Sequence, residues 1–348
     1  MDKMTRHGAA LTKTRAMRRD LLSNECRRRL LDAPDLEAAF LVLGETGLTA
    51  GWRKPVDGTD PILSVETYLS ESFEERLLKL YHYYGLAYKR FLGMLLLRFD
   101  IETLKMILRV LEDRNEAIFP SPQLRLAAMK HAGERLFHVD LLAQAKTKQD
   151  VAAAIALPKY RAMVEQYAPS EPLAQFDLEM RLDREYFREL MRATKALSHA
   201  DRKLAKELIG ENIDLHNLRW ITRAKRFYRL PDELIFTYTI ADGKVFNTDK
   251  LYALCESSLD ELDTLLATTP YRFILKQTDD SIPSVLPKYL LKRCHSLAKK
   301  EPLSLAPIIA FLHDWEFMLS DLTTILEAKV YGVDPRPYLI GKGLDDGR

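Results

Sequence analysis

Glycine is scarce in this chain, at 14 of 348 residues. No Gly-x-x-x-x-Gly-Lys-Ser/Thr loop occurs, no Gly-x-Gly-x-x-Gly follows a strand-like run, and Gly341-Lys342-Gly343 lacks both the spacing and a preceding strand. Loops that cradle phosphates need those glycines because the backbone itself approaches the ligand, so no nucleotide site is expected. Cysteine is rarer still. Cys26, Cys255 and Cys294 are scattered, odd in number and form no Cys-x-x-Cys, which reads as reduced thiols in a cytosolic protein. An excess of one charge is also missing: 52 Lys and Arg face 50 Asp and Glu, against the basic surface of a dedicated nucleic-acid binder. Long apolar runs are absent too. Phe91–Leu97 and Leu303–Leu312 fall well short of the ~20 residues that span a bilayer, and the polar start of the chain lacks an apolar signal core. Any work at a membrane is therefore expected to go through a partner.

Clusters that could carry chemistry are thin. His131, Glu134 and His138 share a helical face, and His313 with Glu316 forms a second His-x-x-Glu pair. A di-metal bundle needs Glu-x-x-His on two helices plus further carboxylates; here the order is reversed and the extra acids have no matching positions. Asp279-Asp280 stops at two aspartates beside Pro283, which reads as a loop. Cys294 and His295 are neighbours on a predicted helix, so their side chains diverge by about 100° and make a poor thiol–imidazole pair. No catalytic group, metal or cofactor is expected.

What is abundant is helix-forming residue. Leu, Ala, Glu, Lys and Arg dominate, the composition of an all-α protein. One helical pattern, Ile213 to Lys225, places Leu215, Leu218 and Ile221 on a stripe widened by Trp220, with Arg219, Arg223 and Lys225 toward the negative end of the dipole. Related patterns run from Phe99 to Arg109 and from Phe317 to Lys329. Anchored on Leu104, Leu218 and Leu322, they repeat at roughly 110 residues, too long for a solenoid period of ~20–50 and suited to repeated subdomains. A second pattern keeps the same beat. Asp35-Leu36, Asp150-Val151 and Glu261-Leu262 open short apolar runs that close at Glu45-Thr46-Gly47, Pro158-Lys159-Tyr160 and Thr268-Thr269-Pro270-Tyr271.

Between these patterns, residues 1–10 are expected to fray and Leu11–Leu31 to form one basic helix. Gly51–Pro61 reads as a loop and Ser64–Leu97 as a helix whose Leu77, Leu80, Tyr81, Tyr84 and Tyr88 are core. Links are expected at Leu111–Pro122 and Ala168–Pro172, and Leu182, Tyr186, Phe187 and Leu190 mark the buried face of another helix. The one strand signal is Leu234–Ile240, which Asp242-Gly243 could turn into a short hairpin with Lys244–Phe246 or leave as an irregular excursion.

Taken together, the repeated motifs resemble those of the C subunit of the prokaryotic V-type and archaeal A-type ATP synthases, a relative of the eukaryotic V-ATPase d subunit. Thr14-Arg15-Ala16-Met17-Arg18-Arg19-Asp20-Leu21-Leu22 matches that family's opening helix, and Leu30–Thr46 its second run, with Leu48 where an aromatic is common. Leu96 through Arg109 meets the next signature with Thr103 in place of Asn. Ile213–Lys225 keeps Asn217, Arg219 and Lys225, while the last copy departs, with Asp321 and Thr323 where Asn and Arg are usual. The resemblance implies an all-α fold of three similar helical subdomains around a pseudo-threefold axis, funnel-shaped, with at most one short hairpin. The expected division is 1–118, 119–230 and 249–348, with 231–248 a loop or hairpin. It also implies a non-catalytic socket in a rotary motor, a cytoplasmic monomer within a hetero-complex, held at the membrane through the proteolipid ring and gripping the central rotor shaft. Arg109, Arg223, Lys225 and Arg226 are the candidate partner contacts. A helical-repeat scaffold for soluble partners is the alternative, and an all-α enzyme a distant third.

Overall fold

The computed structural model describes residues 2–56, 60–113, 136–142, 144–167, 174–228, 230–276 and 282–341. Helices make up the fold: α1 (Lys3–Met17), α2 (Asn24–Asp32), α3 (Leu36–Gly44), α4 (Pro61–Tyr81), α5 (Leu86–Asp113), α6 (Val139–Leu142), α7 (Lys148–Ala154) and α8 (Pro158–Glu165). They continue with α9 (Ala174–Ala193), α10 (His199–Arg223), α11 (Asp232–Thr237), α12 (Thr248–Glu256), α13 (Leu259–Ala267), α14 (Ile282–Lys300) and α15 (Ala306–Tyr331). No strand occurs among the described residues, where β pairing amounts to an isolated bridge between Phe137 and Ile155. The fold is all-α.

Two compact units divide the chain, one of residues 1–83 and 263–348, the other of residues 84–262. These cuts fall elsewhere than the repeat boundaries expected from the sequence. In the first unit α15 packs against α14, α4, α1 and α3. Its centre is Trp315, fully buried, stacked on Phe73 at 5.6 Å and covered by the Arg76 guanidinium at 4.9 Å. In the second unit α9 packs on α5, α8 and α10, and the predicted face of Leu182, Tyr186, Phe187 and Leu190 is buried. Of the tyrosine stripe, Tyr84 and Tyr88 are buried and stack at 5.1 Å; the Tyr88 hydroxyl donates to Asp201 at 2.6 Å.

Several expected boundaries move. Residues 3–10 are helical, with His7 and Ala10 fully buried, because Ala10, Leu11, Thr14 and Met17 form a packed stripe. The single helix expected over 11–31 is two. The Ser23 hydroxyl accepts from the Cys26 N–H at 3.1 Å and starts α2 afresh, a cap that competes with continued helix. The helix expected over 64–97 breaks between α4 and α5 at Gly85, whose carbonyl receives the N–H groups of Tyr88 and Lys89. The expected links at 111–122 and 168–172 lie largely outside the described residues.

The strand signal at 234–240 is overturned. Asp232–Thr237 is helical, preceded by Pro231 and carrying Asp232 and Glu233 in its first turn, where the dipole favours acids. Tertiary contacts reinforce it: Trp220 Nε1 donates to the Ile235 carbonyl at 2.9 Å, and Phe236 packs edge-on against Tyr252 at 5.3 Å. β-Branched and aromatic content marks a half-buried surface as readily as a strand.

Candidate functional site

The polar side chains inside the long helices decide how the connecting segments run. On α10, Asp214 and Asn217 are both fully buried among Leu215, Leu218 and Ile221. Asp214 accepts from the N–H groups of Val245 at 2.8 Å and Phe246 at 3.2 Å. Asn217 donates to the Ile240 carbonyl and accepts from its N–H, both at 2.8 Å. Lys244 reaches Glu207 and Glu211, each at 2.6 Å. Gly243 fits because a Cβ there would stand 2.1 Å from Asp214 Oδ1, and Asp242 before it turns the chain at φ 69°. The excursion after α11 is thus fastened to one helix by side chains.

A comparable carboxylate recurs on two other long helices. Asp100 on α5 accepts from the Leu136 N–H at 3.2 Å. Asp321 on α15, 2 % exposed, accepts from Ile340 at 2.6 Å and Gly341 at 2.9 Å. This role sets Asp321 opposite Asp100 and Asp214, so the register anchored on Leu322 slips by about a turn and Ile325 answers to Leu104 and Leu218. All three of those side chains are buried.

The short capped helices show a related shift. Asp35 accepts from the Ala38 N–H at 2.8 Å; Thr147 and Asp150 form a reciprocal capping box, as do Ser258 and Glu261. Asp35 is therefore the cap itself, whereas Asp150 and Glu261 stand a turn further on. Counted from the caps, Leu48, Tyr160 and Tyr271 occupy one position, and all are buried. Backbone and hydroxyl bonds hold the carboxyls of Asp150 and Glu261 below the usual range.

Charged residues line the contact of α5, α9 and α10. Lys105 is 4 % exposed and bonds Asp183, with Glu102 at 3.0 Å; burial opposes its charge, but the two carboxylates hold its pKa up. His216 lies 3.6 Å from Asp183 and edge-on to Phe187, and burial beside Arg219 and Lys105 pushes its pKa well below the usual value.

The four cations singled out from the sequence are placed differently from one another. Arg109 grips Glu179 with two bonds, one of them 2.6 Å, and stays half exposed. Arg223 is exposed, 3.4 Å from the Tyr228 hydroxyl, and Arg226 is exposed beyond it. Lys225 turns inward: its side chain is 10 % exposed, it donates to the Cys255 carbonyl at the end of α12, and Asp232 stands at 3.3 Å. Lys329 closes the end of α2 in a similar way, donating to Leu31 and Ala33.

A sequence profile described as ATP synthase (C/AC39) subunit matches residues 10–336. The chain belongs to that family. Curated relatives are named as the C subunit of A-type ATP synthases. That of Methanobrevibacter smithii is 28 % identical over 192 residues, 52 % of this chain and 50 % of the relative. That of Methanocaldococcus jannaschii is 22 % identical over 286 residues, 72 % of this chain and 66 % of the relative. That of Thermococcus gammatolerans is 26 % identical over 221 residues, 59 % of this chain and 57 % of the relative. The matched stretches thus span from half to about two thirds of these relatives.

In this C/AC39 chain His295 and His313 have structural partners. His313 Nδ1 lies 3.2 Å from Glu316 and the ring stacks on Phe317; His295 meets Asp314 at 2.7 Å, while Cys294 is fully buried. Burial pushes the Cys255 thiol up to about 12, leaving it protonated at neutral pH. Among the described residues no group of three or more His, Cys, Asp and Glu has metal-holding geometry, and no helix is long and apolar enough to cross a membrane. His131, Glu134, Asp279, Asp280, Lys342 and Gly343 lie outside the described residues, and His138 is exposed. Sequence reasoning missed the fastening role of Asp100, Asp214, Asn217 and Asp321. The available signal was an acid on the apolar side of each long helical pattern.

Proposed function

We propose that the chain is a non-catalytic central-stalk subunit of a rotary V/A-type ATP synthase or ATPase, a socket that couples the rotor shaft to the membrane proteolipid ring during ion transport. The family match over residues 10–336 carries this reading, supported by the relatives' shared naming as A-type ATP synthase C subunits. On this reading it works on the cytoplasmic side as one copy in a hetero-complex, peripheral to the membrane. Segments 1–118, 119–230 and 249–348 are related subdomains about a pseudo-threefold axis, with 231–248 as a connector. The recurring capped helix and the recurring carboxylate at Asp100, Asp214 and Asp321 support that relationship. Arg109, Arg223 and Arg226 supply exposed contacts, while Lys225, between the last two in sequence, holds the end of α12.

Reconstitution without this chain tests the reading. ATP hydrolysis by the catalytic head should continue while ion transport is lost. Normal pumping without the chain would end it, and co-purification with soluble proteins but no proteolipid ring would favour a helical scaffold instead.

A further inference from the structure

On α10, Arg219 has no hydrogen bond or ion pair among the described residues. Other arginines are better served. Arg109 grips Glu179 and Arg29 meets Glu45 at 2.7 Å, and these hydrogen bonds raise both pKa values. Arg219 shifts the other way. Burial is the main cause; Asp183 and Glu102 oppose it, Arg98 and Arg223 reinforce it, and the net shift is downward. The residue is nonetheless exposed. Its head therefore stands in a recess that water enters without fully solvating the charge.

The groups that act on Arg219 come from α5 (Arg98, Glu102), α9 (Asp183) and α10 itself (Arg223), all within one compact unit. The two acids are already engaged: the Lys105 ammonium bonds Asp183 and holds Glu102 at 3.0 Å. His216, 3.6 Å from Asp183, adds no charge at neutral pH, because burial holds its pKa well down. Arg98, Lys105, Arg219 and Arg223 thus outnumber the carboxylates around them. Arg219 and Arg223 lie one helical turn apart, with Cβ atoms about 5–6 Å from each other, so both forks serve one guest.

The surplus charge selects that guest. A carboxylate brings one charge and two oxygens. A phosphoryl group brings roughly −1.5 to −2 near pH 7 and three acceptor oxygens, which suit two guanidinium forks. Part of the desolvation of Arg219 is complete in the folded chain, so an arriving anion forms the pair without that cost. We propose that the recess where α5, α9 and α10 meet, centred on Arg219 with Arg223 and Arg98, binds a phosphoryl group, as inorganic phosphate or as a phosphate monoester. The site stands independently of the motor reading. It needs no glycine-rich loop, because side chains rather than backbone make the contacts.

Calorimetric titration of the full-length chain tests it, with inorganic phosphate and O-phosphoserine as probes and chloride holding the ionic strength constant. Saturable binding of at least one probe is expected, and the tighter one names the source of the phosphoryl group. Arg219→Gln should weaken that binding roughly tenfold or more. Arg219→Lys should weaken it about threefold, since an ammonium keeps the charge and loses the fork. Lys203→Gln, at an exposed cation early in α10, should change it by less than about twofold. Heats no larger than dilution, or equal weakening by Lys203→Gln and Arg219→Gln, overturn the proposal. Acetate binding as tightly as phosphate would give the recess to a carboxylate and overturn the phosphoryl assignment. Thermal denaturation adds a second readout: phosphate should raise the midpoint of the unaltered chain and leave that of Arg219→Gln in place. An equal rise in both overturns the site. Should Arg219→Gln not fold, Arg219→Lys decides, and unchanged phosphate affinity in that variant overturns the proposal.

Discussion

Asn217 faces Ile240 as one strand residue faces another, giving a donor to its carbonyl and an acceptor to its N–H, both at 2.8 Å. A side chain on a helix thereby satisfies both backbone groups of a buried residue that has no sheet to join. Leaving such groups unpaired costs ~1–3 kcal/mol each. Asn217→Ala should therefore destabilise the chain by about 2–4 kcal/mol, read from chemical denaturation. It should also speed amide exchange at Ile240 ahead of global unfolding. A loss within the ~0.5 kcal/mol of neutral surface changes would show that water replaces the carboxamide at no cost.

Trp220 gives a second measure of the same region. Its indole is 6 % exposed, lies 4.5 Å from Phe176 and meets Tyr238 edge-on at 5.7 Å, while Nε1 donates to Ile235. Trp220→Ala should cost ~3–5 kcal/mol through lost contacts and a cavity. Trp220→Phe should cost less, because it keeps most of the packing and forfeits the bond to α11. Equal losses for the two variants would assign the whole effect to the hydrogen bond.

His216 sets a pH dependence with a definite sign. Its folded pKa is depressed by burial and by Arg219 and Lys105. The unfolded chain takes up a proton as pH falls through the ordinary value near ~6.5, which the folded chain resists. Stability should therefore hold above about pH 6.5 and decline below it, and His216→Gln should flatten that part of the curve. Urea midpoints at stepped pH decide it; parallel curves for the two chains would mean that the imidazole titrates normally.

The local helical signals were legible in the sequence because they depend on near neighbours. The acidic start at Asp35 and the buried faces of α9 and α10 follow from spacing and composition. The failures at residues 234–240, Asp321 and Lys225 share one physical origin, contacts between residues far apart in the chain. Residues 234–240 look like a strand until Trp220 and Tyr252 are seen beside them. Asp321 looks like a degraded motif position until Ile340 and Gly341 arrive to be bound. Lys225 looks like an exposed cation until the Cys255 carbonyl is found at its tip. Motif resemblance reached the family that the profile match then showed, whereas the placement of the four cations needed coordinates.

That placement separates surface from structural charge. Arg223 and Arg226 are exposed, so reversing both to Glu should leave stability within about 1 kcal/mol, the range of surface changes. If they meet partner subunits, the double variant should bind the rest of the complex at least tenfold more weakly at low salt. The difference should shrink as ionic strength rises, because charges further apart than ~10 Å are screened at 0.1 M. Lys225→Met is the contrasting change. It removes the donor to the Cys255 carbonyl, so it should cost ~1–3 kcal/mol of folding stability and leave the salt dependence of assembly unaltered. Binding curves at three salt concentrations, read beside denaturation of the same proteins, distinguish the two roles. If Arg223→Glu with Arg226→Glu assembles as well as the unaltered chain at every salt concentration, these arginines only solvate the end of α10, and the contact surface lies elsewhere.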